Sequence, residues 1–287
     1  MTAFPNVQVS VITPAFNCER FIERALQSVS RQSGDLHIEH IIIDDCSIDS
    51  TCAILEEYGR QDPLVKIIRL PRNSGPAEAR NVGVRRASGR FLAFLDADDI
   101  WLPDKCSIQV EFMQKTGAAV SFTDYRFISD DGHRIGRRLR GPQRVGWHLH
   151  HMTRYLGCLT VMVDRSKVPD FHFPKVPPLY KAEDFLAWAP IVAREPAVRV
   201  PVDLARYAVV PNSRSSSTWL NGTSVWEVYR KIEKIPLSLA AFYFCSYAAF
   251  ALAKRRYCRP LWERSRIDKG WKSDVEQPVF ARAEGTE

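Results

Sequence analysis

Short uninterrupted apolar blocks alternate with stretches in which apolar residues recur every three or four positions. Val7–Pro14 alternates, then runs apolar into Pro14-Ala-Phe-Asn17, the pattern of a strand followed by a turn. Phe21, Ile22, Ala25, Leu26 and Val29 then share one helix face. Ile38–Ile43 predicts a second strand ending in Asp44-Asp45, and Ser50 is placed to cap a helix with Ile54, Leu55 and Tyr58 inward. Val65–Leu70 predicts a third strand, ending at Pro71-Arg-Asn73-Ser-Gly75-Pro76. A helix from about Ala77 to Ala87 stops at Ser88-Gly89. Arg90–Leu95 is a fourth strand, and it breaks off in Asp96-Ala97-Asp98-Asp99.

Strand and helix in strict alternation predict a parallel sheet wound with right-handed crossovers. Ligands of such α/β sheets sit outside the carboxyl ends of the strands. Each predicted end here is polar or acidic: Asn17, Asp44 and Asp45, Asn73, then Asp96 to Asp99. Taken alone, the last three acids fit either a hard divalent cation or a polar loop that caps the next helix. Four such ends on one rim favour a ligand site.

Beyond Lys105 the pattern predicts a helix through Lys115, a strand over Ala118–Phe122 and a hairpin turn at Asp130-Asp131-Gly132 after Tyr125–Ile128. Residues 133–155 have little periodicity and many Arg and His, so they are expected to form a mobile loop. Gly157–Val163 predicts a strand, and the proline-rich Phe171–Tyr180 an irregular segment. Glu183-Asp184 opens a helix over Phe185–Ala193, with its acids near the positive end of the helix dipole. Val198–Val210 is expected to be extended.

The last third differs in character. Pro236–Ala253 carries no charge and is flanked by Lys231 and Lys234 before and Lys254-Arg255-Arg256 after. As a helix it would measure about 27 Å, short of a hydrocarbon core of about 30 Å, and the flanking charges give no asymmetry to orient a span. It is therefore expected to lie at a membrane surface, with docking on the domain as the other reading. The expected division is a wound α/β domain at 1–220, a helical extension at 221–272 and a disordered tail at 273–287.

Composition changes this picture in three places. A net charge of +7 is gathered in His133–Arg154 and Lys254–Lys272, which points to anionic partners. Seven scattered cysteines with no Cys-x-x-Cys pair predict reduced thiols, and Met1–Asn6 shows no leader-like pattern, so a protein facing the cytoplasm is expected. His148-Leu-His150-His151 lacks a partnering acid or thiol at zinc-ligand spacing and reads instead as part of the loop. Pro14-Ala-Phe-Asn17 lacks the glycines of a dinucleotide fold and the basic glycine loop of a nucleotidyltransferase. The basic clusters lack the interleaved aromatics of a nucleic-acid reader.

Val9-Ser-Val-Ile-Thr-Pro-Ala-Phe-Asn17, Ile42-Ile-Asp-Asp45-Cys-Ser-Ile-Asp49, Asn73-Ser-Gly75-Pro-Ala-Glu-Ala-Arg80-Asn81, Gly89–Asp99 and Glu183-Asp184 resemble, in order and spacing, the inverting family 2 glycosyltransferases. Gly157-Cys-Leu-Thr-Val-Met162 and Val228–Lys234 are similar to those of teichuronic-acid and exopolysaccharide biosynthesis. The resemblance implies a GT-A fold, a Rossmann-like wound mixed sheet with flanking helices and a C-terminal helical extension. It also implies a nucleotide-sugar donor, expected to be a UDP-sugar, a Mg²⁺ or Mn²⁺ cofactor, and a polysaccharide acceptor carried on a lipid diphosphate, for which the basic stretch at 133–154 is a candidate receiver. By position, it implies that Asp45 bonds the nucleotide base beside Pro14, Phe16 and Asn17, with Arg80 near the nucleotide. Asp96 falls near the ribose, Asp98 on the metal and Asp184 as catalytic base. Glu183, Trp101 and Arg214 are candidate contacts to acceptor or diphosphate. Where relatives often carry His, this chain reads Val210-Pro-Asn-Ser-Arg214.

Overall fold

The computed structural model describes residues 7–177, 180, 182–210, 218–258 and 263–264; side chains are not described at 218–221, 255–258 and 263–264. Arg214 and the expected tail at 273–287 lie outside the described residues.

The first half winds as its pattern predicts. Strands β1 (Val9–Ala15), β2 (Ile38–Asp44), β3 (Val65–Arg69) and β4 (Phe91–Phe94) alternate with helices α1 (Ile22–Ser30), α2 (Thr51–Gln61) and α3 (Pro76–Arg86). The four strands pair in parallel in the order β3-β2-β1-β4, so their carboxyl ends share one edge. Strands β1, β2 and β4 are buried on both faces because helices cover both, while β3 at the edge is half-buried. Ile12, Ile43 and Phe94 enter one core layer, while Val9, Val11 and Phe91 enter the other. Helix α3 lies close over the sheet because residue 83 has no side chain. A Cβ there would meet Ile12 Cγ2 at 2.5 Å and Ile43 Cδ1 at 2.9 Å. Gly83→Ala is expected to cost about 1–3 kcal/mol by overpacking, measured as a lower denaturation midpoint.

The second half closes the sheet. The two-residue strand β5 (Ile100–Trp101) and helix α4 (Lys105–Thr116) lead to the long strand β6 (Val120–Ser129), which absorbs the two shorter expected strands into one. Residues 133–155 are not a loop. They form strand β7 (Arg134–Leu139), which completes a hairpin with β6, then β8 (Arg144–Val145) and helix α5 (Trp147–Thr153). Of the arginines that hid this pattern, Arg138 binds the buried Asp124 at 2.7 Å, where Arg199 of a later strand joins it at 2.6 Å. The histidines are paired likewise. His150 Nε2 meets the Phe185 carbonyl at 2.9 Å, and His151 Nε2 meets Glu233 at 2.6 Å. The His148–His151 run is a helical packing element, not part of a loop.

Strand β9 (Val161–Asp164) inserts antiparallel between β4 and β6. Helix α6 (Glu183–Val192) follows, and β10 (Ala197–Val209) pairs with β6 through two register shifts. Helix α7 (Thr218–Glu227) runs into a π-helical turn at Val228–Ile232, and α8 (Leu237–Cys258) and a short strand, β11 (Glu263–Arg264), follow. The C-terminal elements share a core with α6. Ala182 and Phe185 pack with Val225, Val228, Tyr229, Ile235, Ala240 and Tyr243. Among the described residues, α8 is the one helix long and apolar enough to cross a membrane, and only 11% of its Leu237–Lys254 window is buried. Leu237, Phe242 and Leu252 on it are exposed. Cys18, Cys46, Cys52, Cys106, Cys158 and Cys245 are free thiols.

Candidate active site

One cleft opens over the carboxyl edge of the parallel strands. It is lined by Pro14, Phe16, Asn17, Asp45, Arg80, Asp96, Asp98, Glu183 and Asp184. Nine positions chosen from the sequence thus meet at one surface.

The turn after β1 sets the first wall. Asn17 holds a left-handed φ of 46°, which asparagine tolerates better than most residues. Its amide donates to Ser47 Oγ at 3.0 Å, and its Oδ1 accepts from the Ile48 amide at 2.9 Å. The turns after β1 and β2 are therefore tied together, and Phe16 stands beside them 47% exposed. Asp45 is buried at the end of β2. Its two oxygens accept from the Ser74 amide at 2.7 Å and the Gly75 amide at 2.8 Å. Gly75, at φ 84°, supplies the conformation that turns both amides onto one carboxylate.

The acids after β4 have three different environments. Asp96 is partly open, and Arg80 Nη2 donates to its Oδ1 at 2.5 Å. The carboxyl of Asp98 is pushed up to about 6 by burial and by the charge of Asp96, against the pull of Arg24 and Arg80. Asp99 is buried and accepts from the Ala208 amide at 2.8 Å, which ties β10 to this turn. Burial and its two acidic neighbours raise the carboxyl of Asp99 well above the ordinary carboxylate range. Asp99 is thus a structural acid.

Asp184 stands at the head of α6, where the Phe185 amide donates to its Oδ1 at 2.7 Å. Burial raises its carboxyl above the usual range, as does Glu183, while Arg154 and Arg80 pull the other way. Trp101 is not on the cleft. It is 2% exposed, its indole N–H donates to the Leu159 carbonyl at 2.9 Å, and Lys105 Nζ lies 3.9 Å from its ring centroid. Strand β5 pairs with β10 and turns this aromatic inward, so it serves the core.

Two groups of residues here escaped the sequence pattern. Arg154 lines the cleft from the end of α5, hidden in a basic stretch with no periodicity. Tyr125, Phe127 and Tyr207 form an aromatic wall, with ring centroids 5.5–6.2 Å apart, and Lys254 of α8 lies over two of the rings. Only the pairing of β6 with β10 gathers them.

A divalent cation suits this donor set. Asp96 and Asp98 are hard oxygen donors whose mutual repulsion a cation would relieve. Among the described residues no three His, Cys, Asp or Glu side chains form a complete cage. Mg²⁺-type sites commonly use one or two carboxylates and take the remaining oxygens from a phosphorylated ligand.

A mixed, mostly parallel sheet with flanking helices and acids at its carboxyl edge defines a GT-A transferase fold. Residues 10–168 match the family described as Glycosyl transferase family 2, and the chain belongs to that family. It is 38% identical over 248 residues to a putative teichuronic acid biosynthesis glycosyltransferase, TuaG, of Bacillus subtilis, covering 86% of this chain and 97% of that one. It is 29% identical to the Escherichia coli WfgD, a UDP-Glc:α-D-GlcNAc-diphosphoundecaprenol β-1,3-glucosyltransferase, covering 87% and 95% of the two chains. Among solved structures it is similar to S. aureus TarS residues 1–349 in complex with UDP-GlcNAc. That match has a TM-score of 0.64 and 23% identity, and covers 88% of this chain and 74% of that one. The chain is a glycosyltransferase of polysaccharide biosynthesis.

Proposed function

We propose that the chain moves a sugar from a nucleotide diphosphate donor, UDP-linked, to a hydroxyl of a lipid-diphosphate-linked oligosaccharide, inverting the anomeric centre in one displacement. The observation that carries this reading is a single cleft holding two separate sets of acids. Asp96 and Asp98 follow β4, and Asp184 heads α6. In-line displacement needs charge stabilisation on the leaving diphosphate and a base on the attacking hydroxyl, and two separate elements can serve both.

The donor half is built from the β1 and β2 ends. Phe16 offers an exposed ring for the base, and Asp45 keeps free lone pairs beside the two amides it already holds. Arg80 orients Asp96 toward the ribose. Asp98 and the donor phosphates would hold Mg²⁺ or Mn²⁺, which when bound offsets the charge on the leaving group. Asp184 takes the proton from the acceptor hydroxyl, and its raised carboxyl makes it a better proton acceptor near neutrality than an ordinary aspartate.

Helix α8 supports a place at the cytoplasmic membrane face. Its inner residues Phe244, Tyr247 and Phe250 line the cleft, while Leu237, Phe242 and Leu252 are exposed on it, beyond Lys231 and Lys234. A helix with such a face, next to cations, lies in the headgroup region, and would bring a lipid-borne acceptor to the cleft. The acceptor named for the E. coli relative is of this kind.

The test is a panel of UDP-, GDP- and TDP-sugars with Mg²⁺ or Mn²⁺, scored for donor turnover and thermal shift. A UDP-sugar is expected to be turned over only with metal present. No response to any nucleotide sugar would sink the reading.

A further inference from the structure

We infer that Arg154 is a phosphate-binding residue of the acceptor site, gripping the diphosphate next to the sugar that is extended. The inference rests on the acceptor reading above and assigns it to one side chain.

Arg154 closes α5 in the left-handed conformation, φ 51° and ψ 49°. A residue with a Cβ adopts it at a cost, so surrounding contacts must hold it there. They are visible. Its amide donates to the His150 carbonyl at 3.0 Å. His150 and His151 anchor α5 to Phe185 and Glu233. The side chain is held as firmly. Its guanidinium carbon lies 4.5 Å from the Phe185 ring centroid and 5.6 Å from that of Tyr247. Yet Nε and Nη2 are buried and have no hydrogen-bond partner among the described residues. Arginine cannot shed its proton, so these donors call for an acceptor, and a charged one by preference. A stacked, preorganised fork with two vacant N–H groups suits a phosphate oxygen pair.

Position selects which phosphate. Arg154 stacks on Phe185, the residue after Asp184, and on Tyr247 of α8. The donor side has its own guanidinium, Arg80, paired with Asp96. When the acceptor sugar hangs directly on a diphosphate, that diphosphate lies one pyranose ring from the attacking hydroxyl. An anion site beside the base, under the helix with the apolar outer face, is where this chemistry puts it. Arg138 of the same stretch is taken up by Asp124 and the Pro201 carbonyl, and within 133–154 Arg154 is the one basic residue that lines the cleft.

The probes are N-acetylglucosamine diphosphate carrying a short alkyl chain, the same sugar as a neutral alkyl glycoside, and UDP. Arg154→Gln is expected to raise the KM for the diphosphate acceptor roughly 10- to 100-fold, the worth of a charge-assisted hydrogen bond or two. The wild-type preference for the diphosphate acceptor over the neutral glycoside should collapse, with UDP affinity unchanged by calorimetry. Arg154→Lys should recover part of the preference, because a cation returns without the fork. An unchanged preference in Arg154→Gln overturns the assignment, as does loss of UDP affinity with acceptor KM retained, which would place Arg154 on the donor. Wild-type turnover of donor with only the neutral glycoside accepted overturns the acceptor reading and this inference together. No donor turnover at all overturns the functional reading itself.

Discussion

Asp184→Asn is expected to lower kcat about 10³-fold while donor nucleotide affinity stays at the wild-type value. The amide keeps the shape and can still accept from the Phe185 amide, which donates to Oδ1 at 2.7 Å. What it loses is basicity, and positioned general bases contribute about 10²–10⁴-fold. The pH profile carries the same information. A protonated Asp184 cannot accept a proton, so wild-type turnover should fall as pH falls. That acid limb should lie above the ordinary carboxylate range, because burial raises the group. In the Asn variant the limb should vanish from the residual rate. Steady-state kinetics from pH 4 to 9 beside UDP titration would check both, and near-wild-type turnover would remove Asp184 from its role.

The second large effect is a trade of stability against function at Asp98. Burial and Asp96 hold its carboxyl at about 6 in the folded chain, above the usual value near 3.9. Between these values the folded state binds more protons than the unfolded one. Stability of the metal-free protein should therefore decline as pH rises through this window and stay lower at pH 7. Asp98→Asn removes the penalty. With solvent screening of this partly exposed group, the gain is on the order of 1 kcal/mol, or roughly 2 °C in Tm. The same variant should lose metal-dependent turnover and the thermal shift that Mn²⁺ with UDP gives the wild type. Wild-type cation affinity should weaken below pH 6, as protons compete for the carboxylate. A variant that melts lower than wild type without metal, yet still responds to Mn²⁺ with UDP, would contradict this account.

Much of the site was legible because wound sheets make position follow from order. A strand buried on both faces ends where its apolar run ends, so Asp45 and Asp96 had to fall at the carboxyl edge. Helix α6 opened at Glu183 because its acids precede an apolar run. Trp101 misled for the opposite reason. It follows the acids in sequence, but β5 pairs with β10, a partner more than ninety residues away, and turns the ring into the core.

The stretch from 133 to 155 shows where local pattern stops. Its arginines and histidines look solvated because a period counts charge, not partners. Asp124 lies buried on β6, and Glu233 arrives from beyond β10, so the pairs that fold this stretch span long sequence separations.

Sequence alone determined the wound half, the rim of acids and the family, because these depend on periodicity and on motifs that fold locally. Tertiary structure decided which residue of 133–155 brings a cation to the cleft, which aromatics wall it and which face of α8 lines it. Those outcomes come from long-range pairing: β10 on β6 gathers Tyr125, Phe127 and Tyr207, and α5 against α6 and α8 leaves Arg154 with two buried donors and no described partner.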